Sequence, residues 1–415
     1  MFKTENLLVA AVRKTVNQVT ITDIHTHLFP PSHGSLLFWG PDDLLTYHYL
    51  VAELFSFAPP GLTPAAFYAL PKPRQADLVW EYVFLKHAPL SEAARGVLTV
   101  LDKLGLSTAR RDLRPIRRWF ARQNVNKYME KVFELAGVDY AVMTNDPLVA
   151  EEAACLARPL PVPSCLKPAL RADGLLGDWP GAVAAMNRAG YQVRPEADKV
   201  SLGEVRRFLL DWCEKLQPLY LAASLPPEFA YPDDSLAGRL MEQAILPAAR
   251  ESGLPLAMMI GVRRRVNPPM GWAGDAMGLA DLSSVMRLCQ ANPKQKFLLT
   301  VLARANQQEL AVLARKFNNL HIFGCWWFCN IPSVIAEITA QRLELLGTAF
   351  TAQHSDARIL DQLIYKWAHS REVIGGVLAD KYAAIFRAGW RPTAAELQRD
   401  VRALLGGSFE EFLRR

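Results

Sequence analysis

The sequence predicts an α/β protein built as a (β/α)8 TIM-type barrel. Three observations carry that expectation. Eight short apolar runs have strand character, the stretches between most of them have helical periodicity, and reactive side chains gather just after the C-terminal ends of the runs. Parallel strands need crossover connections, which the intervening helices supply. A doubly wound open sheet is the competing architecture, but the chain carries no G-x-G-x-x-G or Walker-type loop to support nucleotide binding in one.

The first strand is read over Val19 to Ile24, a β-branched run that Phe29-Pro30-Pro31 stops. Just beyond it His25 and His27 lie two apart, so on an extended chain they share a face. Two neutral imidazoles so placed can grip one divalent cation. The spacing alone is equally compatible with two polar residues leaving a strand. A long helical tract follows, residues 42–136, broken at Pro59-Pro60 and Pro71-Lys72-Pro73. It is read as an insertion packed on the barrel, within a single domain covering residues 1–415. The remaining strands are expected at Asp139 to Thr144, Ser164 to Leu170, Leu219 to Ser224, Pro255 to Val262, Lys296 to Leu302, Leu320 to Trp326 and Gly347 to Ser355. Helices are expected at Ser201 to Leu216, Ser235 to Ser252, Asp281 to Gln290 and Gln307 to Phe317. No internal repeat or low-complexity segment interrupts this order.

Hydrophobic residues make up 51% of the chain and charged residues 21%, which is ordinary globular composition. No apolar run reaches the roughly 18 residues of a membrane span, so a soluble protein without a membrane partner is expected. The apolar patch Leu7 to Val12 is too short for a secretory signal. The six cysteines form no C-x-x-C pair and fit free thiols in a reducing cytosol, hence a cytoplasmic location. The net charge of +6 is spread over scattered clusters such as Arg110-Arg111 and Arg263-Arg264-Arg265. They form no nucleic-acid reader motif, and a modest positive excess suits an anionic small molecule instead.

In a barrel of this type chemistry sits at the C-terminal strand ends. Those ends carry His25 and His27, Thr144-Asn145-Asp146-Pro147, Arg171 with Asp173, Arg263-Arg264-Arg265, Trp326-Trp327-Phe328 and His354-Ser355-Asp356-Ala357-Arg358. Strands one and eight are neighbours in a closed barrel. Asp356 can therefore join His25 and His27 as a hard anionic metal ligand, with open positions left for water or substrate. Asp356 also suits a helix cap. Arg358, two residues on, is placed for a bidentate pair with a carboxylate.

These segments, in order, resemble the uronate isomerases (glucuronate isomerases), a branch of the metal-dependent amidohydrolase superfamily. The resemblance runs through DIHTHL at Asp23 to Leu28, YHYL at Tyr47 to Leu50, TNDPL at Thr144 to Leu148 and LRAD at Leu170 to Asp173. It continues through IGVRR at Ile260 to Arg264, GCWWF at Gly324 to Phe328 and SDAR at Ser355 to Arg358. It implies interconversion of a hexuronate aldose and its ketose through a cis-enediol, D-glucuronate to D-fructuronate or D-galacturonate to D-tagaturonate. It further implies a divalent metal, zinc, on His25, His27 and Asp356, and catalytic roles for Asp356, Tyr49 and His48. Arg171, Arg358, Trp326 and Trp327 would contact the hexuronate, and the enzyme would be a cytoplasmic homo-oligomer of carbohydrate catabolism.

Two positions depart from the pattern. Met259 stands where the family resemblance calls for a strand-five histidine, and a thioether is a poor ligand for hard cations. The metal site is therefore expected to be pared down, its occupancy weak or nil. Strand four ends in Ser224-Leu225-Pro226-Pro227, without acidic or histidine ligands. A hydrolase or decarboxylase of the same superfamily, or a non-catalytic sugar-acid binder, are the alternatives that these departures leave open.

Overall fold

The computed structural model describes residues 1–415. Its sheet is parallel and curled, with seven strands in the order β1 (Ile21–Thr26), β2 (Val138–Asn145), β3 (Leu166–Arg171), β4 (Leu221–Leu225), β5 (Leu256–Ile260), β8 (Phe297–Val301) and β9 (Leu320–Ile322). A separate two-stranded hairpin, β6 (Val262–Arg263) with β7 (Ala276–Met277), projects after β5. Each sheet strand runs within a few residues of its expected position.

The eighth expected strand, Gly347 to Ser355, is the exception: it forms one isolated bridge, Thr351 with Phe323. On one side, Gly324 N–H donates to the Thr351 carbonyl (2.9 Å) and Thr351 N–H donates to Ile322 (3.1 Å). On the other, Asp356 N–H donates to the His25 carbonyl (3.1 Å) and His27 N–H to that of Ala357 (2.7 Å). Between these bonds the segment turns to other partners. Ala352 N–H reaches the Leu404 carbonyl at 2.9 Å, and Ser355 N–H the Asp23 carboxylate at 3.0 Å. Asp356, at φ 51°, then leaves extended backbone altogether. A ladder needs consecutive donors aimed at one neighbour, and this segment divides them among β9, Leu404 and β1.

Alternation along the strands separates two buried layers. Leu221, Ala223, Leu256, Met258, Phe297 and Leu299 face the surrounding helices. Ala222, Ala257, Met259 and Leu298 face the concave interior with Ile24, Val142, Tyr220 and Phe323. Phe409 and Phe412 of the last helix, Ser408–Arg414, join that interior. They plug the N-terminal end of the strands, Phe409 against Tyr220 and Phe412 against His321. The C-terminal end is left for the site.

The expected helical tract forms seven α-helices from Pro41–Leu45 to Val125–Ala136. Of its proline breaks, Pro59-Pro60 lies in the turn between the helices His48–Phe57 and Pro64–Tyr68, while Pro73 sits in the first turn of the helix Lys72–Val79, where the missing N–H costs nothing. Leu54, Val97 and Val132 of this tract share one buried cluster with Ile21 and Leu170. Each such side chain contributes about 1.5–3 kcal/mol when fully buried. No helix is long and apolar enough to cross a membrane.

Candidate active site

β1 delivers His25 and His27 together, their rings 5.2 Å apart and perpendicular. From the opposite edge of the sheet, Asp356 brings Oδ1 to 3.8 Å from His25 Nε2 and 3.4 Å from His27 Nε2. The three ligand atoms lie within 4.8 Å of one another. His25 Nε2 and Asp356 Oδ1 are buried without a hydrogen-bond partner, so each lacks the satisfaction that buried polar atoms normally find. Burial, followed by the neighbouring His27, pushes His25 down to about 3. Burial and then Arg358 hold His27 well below the ordinary histidine range. Neutral imidazoles, a carboxylate and unsatisfied buried donor atoms are what a divalent cation requires. The donor set fits a metal.

Met259 adds nothing to that set. It is buried in the concave interior, in register with Ser224 on β4 and Thr300 on β8. Neither Met259 nor any residue at the end of β4 belongs to the metal-capable group, which consists of His25, His27 and Asp356.

The insertion contributes the start of its helix His48–Phe57. The His48 ring lies 4.4 Å from Tyr49 and 5.2 Å from Trp327. Both His48 nitrogens and the Tyr49 hydroxyl are buried and unpartnered. Burial lowers His48 to about 3 and raises Tyr49 well above 10. At neutral pH one is an uncharged acceptor and the other an uncharged donor.

The arginines differ in what they already hold. Arg171 Nε donates to Asp173 Oδ2 at 2.9 Å, while Asp173 also accepts the Ser224 N–H at 3.0 Å. Burial works to raise Asp173, but the Arg171 charge together with the hydrogen bonds from Arg171 and Ser224 outweighs it, and the carboxyl ends at about 2. Arg358 has no carboxylate partner: its guanidinium lies 4.4 Å over the Trp272 ring, in a largely buried position that lowers its basicity. Trp327, at φ 42° with an unpartnered Nε1, lines the cavity, whereas Trp326 is buried in the concave interior and does not.

Two cavities meet at His48 and Trp272. One, about 380 Å³, also touches Tyr47, Lys72 and Arg358. The other, about 370 Å³, also touches Tyr49, Trp327, Tyr365 and Lys366.

Sequence reasoning missed Trp272 and Lys366. Trp272 lies between β6 and β7, in a loop whose visible signal was Arg263-Arg264-Arg265; of these, Arg264 is bound to Asp275 at 2.7 Å. Lys366, buried on the helix Gln362–Arg387, donates to the Ser355 carbonyl. Two further residues of that helix are committed to structural bonds. Trp367 donates to Asp23 Oδ2 (2.8 Å), and Arg371 turns away to the Val16 and Gly137 carbonyls.

The curled parallel sheet, its open C-terminal end and a His-His-Asp donor set that could hold a metal ion define the class of α/β protein to which the chain belongs. No family model matches the chain, and no curated protein matches it. Among solved structures, a uronate isomerase from Bacillus halodurans C-125 superposes with a TM-score of 0.97 at 46% identity, covering 100% of this chain and 98% of that one. The chain belongs to the uronate isomerase family. A uronate isomerase from Thermotoga maritima (TM-score 0.76, 15% identity, 100% of each chain) shares the fold. So does a glucuronate isomerase from Caulobacter crescentus (TM-score 0.78, 16% identity, 99% of this chain and 95% of that one).

Proposed function

We propose that the protein is a hexuronate aldose–ketose isomerase, converting D-glucuronate to D-fructuronate and D-galacturonate to D-tagaturonate. The observation that carries the reading is the juxtaposition of a His25, His27, Asp356 donor set with an arginine, Arg358, whose guanidinium has no acidic partner. A uronate has both groups such a site asks for: a carboxylate for the arginine, and vicinal oxygens for the cation.

A divalent cation, zinc by preference for two imidazoles and a carboxylate, would be held by His25, His27 and Asp356. When bound, it would polarise substrate oxygen and stabilise negative charge there. Arg358 takes the substrate carboxylate, with Arg171 beside it for hydroxyls and Trp327 as a wall; Trp326 supports Trp327 from behind. Asp356 assists ring opening by accepting the anomeric hydroxyl proton as the C1–O5 bond breaks and the ring oxygen takes up a proton. The C2 proton is then removed, the O2 proton passes to O1, and a proton returns to C1 through the enediol. His48 and Tyr49, uncharged and unpartnered, are the groups placed to shuttle these protons. Residues 351–357, bonded to both edges of the sheet, serve in this reading as the closing eighth segment of a (β/α)8 barrel spanning one domain. Self-association, expected from the family resemblance, is measured by light scattering.

Incubation with each uronate, following appearance of the ketose, tests the reading. Turnover that is lost in Asp356→Asn with the fold retained supports it. A decarboxylated or hydrolysed product, or no product at all, overturns it. Metal analysis of the purified protein accompanies the assay. A stoichiometric divalent ion, with activity lost on chelation, is expected.

A further inference from the structure

His25 and His27 each present two ring nitrogens, and only one of them faces Asp356. The other, Nδ1, meets a hydroxyl in both cases. Tyr220, immediately before β4, places its hydroxyl 3.2 Å from His25 Nδ1. Thr144, on β2, places its Oγ1 3.1 Å from His27 Nδ1. A hydroxyl has one proton to give. Tyr220 donates its proton to the Ile24 carbonyl at 2.7 Å, and Thr144 donates its own to the Thr26 carbonyl at 3.0 Å. With those protons committed, each hydroxyl can only accept from the imidazole. Nδ1 must carry the hydrogen and Nε2 the lone pair.

We infer that Tyr220 and Thr144 are positioning residues that lock His25 and His27 in the Nδ1–H tautomer, so that both Nε2 lone pairs converge on Asp356 before any ligand arrives. The assignment of a metal to this site rests on the reading above; the tautomer lock does not. Its two halves have the same construction. Each hydroxyl is anchored on a carbonyl of β1 itself, Ile24 or Thr26, the residue immediately preceding the histidine it orients. The strand thus fixes its own ring orientations through neighbouring elements. The consequence is chemical: two lone pairs and a carboxylate oxygen face one another with no hydrogen between them. A cation satisfies that arrangement and a hydrogen bond does not. The contrast within the same barrel is His354, whose ring lies 5.6 Å from that of His25 and whose two nitrogens are both unpartnered. Nothing locks its tautomer, and it stands outside the His25, His27, Asp356 group.

The test uses the whole chain with its histidines labelled with nitrogen-15, together with Tyr220→Phe, Thr144→Val and Thr144→Ser. In the metal-free protein, ring nitrogen shifts are expected to report Nδ1–H for both His25 and His27. Tyr220→Phe should release His25 alone into a tautomer mixture and Thr144→Val should release His27 alone. Thr144→Ser, which keeps the hydroxyl, should leave His27 as in the parent. Zinc titration against a chromophoric chelator should show Tyr220→Phe and Thr144→Val binding 10–100-fold more weakly. Thr144→Ser should recover most of that loss. An Nε2–H tautomer in the parent, or unchanged tautomers in both hydroxyl-less variants, overturns the lock. So does equal zinc affinity in all four proteins. If the parent itself takes no zinc, the metal reading falls, while the nitrogen shifts still decide the lock.

Discussion

Asp356 occupies backbone at φ 51°, a region that costs a non-glycine residue about 1–3 kcal/mol. The surrounding structure holds it there through the Asp356 N–H bond to the His25 carbonyl and the neighbouring Ser355 N–H bond to Asp23. Asp23 is itself fully buried, and burial raises it to about 6 in spite of its bonds to Ser355 and Trp367. The strained turn aims Asp356 at the strand-one histidines, and two residues on Arg358 lies over the Trp272 ring. Arg358 is the residue for which the carboxylate reading has the sharpest consequence. Replacing it with Met should cost about 2–5 kcal/mol in kcat/KM for a uronate, as for a buried charge deprived of its partner, and nothing for a neutral aldose. Parallel kinetics with glucuronate and glucose check this. Equal losses on both sugars would remove Arg358 from carboxylate recognition.

Elements matter here through what they carry to the open end of the sheet. The helix His48–Phe57 belongs to the tract between β1 and β2, far in sequence from Trp327, yet its first two residues face Trp327 from the loop after β9. At the closed end, β9 contributes His321, which stacks on Phe412 and bonds Thr351 Oγ1 at 3.0 Å. Burial, with the charges of Arg415 and Arg342, lowers this imidazole from 6.5 to about 3. The unfolded chain therefore takes up a proton below about 6.5 that the folded chain refuses until about 3. The contribution of neutral His321 is fully present above the first value and is lost as pH falls toward the second. It changes by about 1.4 kcal/mol per pH unit in that window. Urea unfolding at pH 7, 6 and 5 should show His321→Gln losing less stability on acidification than the parent. Parallel curves would contradict this.

The whole molecule is closed by its C-terminus. Gly406 adopts φ 119° and lies so near β1 that an added Cβ would stand 2.5 Å from Thr22 Cβ and 2.8 Å from the Thr22 carbonyl. Glu410 then accepts from Thr22 Oγ1 (2.8 Å) and pairs with Arg402. These contacts fasten the last helix beneath the strand that carries the site histidines at its other end. Gly406→Ala should destabilise the fold by about 1–3 kcal/mol through overpacking, seen as a lower melting temperature. Turnover per folded molecule should be retained, because the strain is released away from the C-terminal strand ends. Unchanged stability would show that the latch is slack.

By itself, the chain determined what local pattern can carry: the alternation of strands and helices, the helical tract after β1, the absence of a strand-five ligand at Met259, and the short motifs that place histidines, arginines and aspartate at strand ends. Those signals are short-range, set by side-chain periodicity and backbone preference over a few residues. Tertiary structure decided the rest. Whether the segment around Thr351 would run as a strand depended on donors claimed by Leu404 and Asp23, far away in sequence. Trp272 over Arg358, Lys366 beneath Ser355, and the hydroxyls of Tyr220 and Thr144 beside two histidines have no local signature. A lone tyrosine or threonine on a strand is indistinguishable from core filling until packing fixes the neighbour to which its one proton is given.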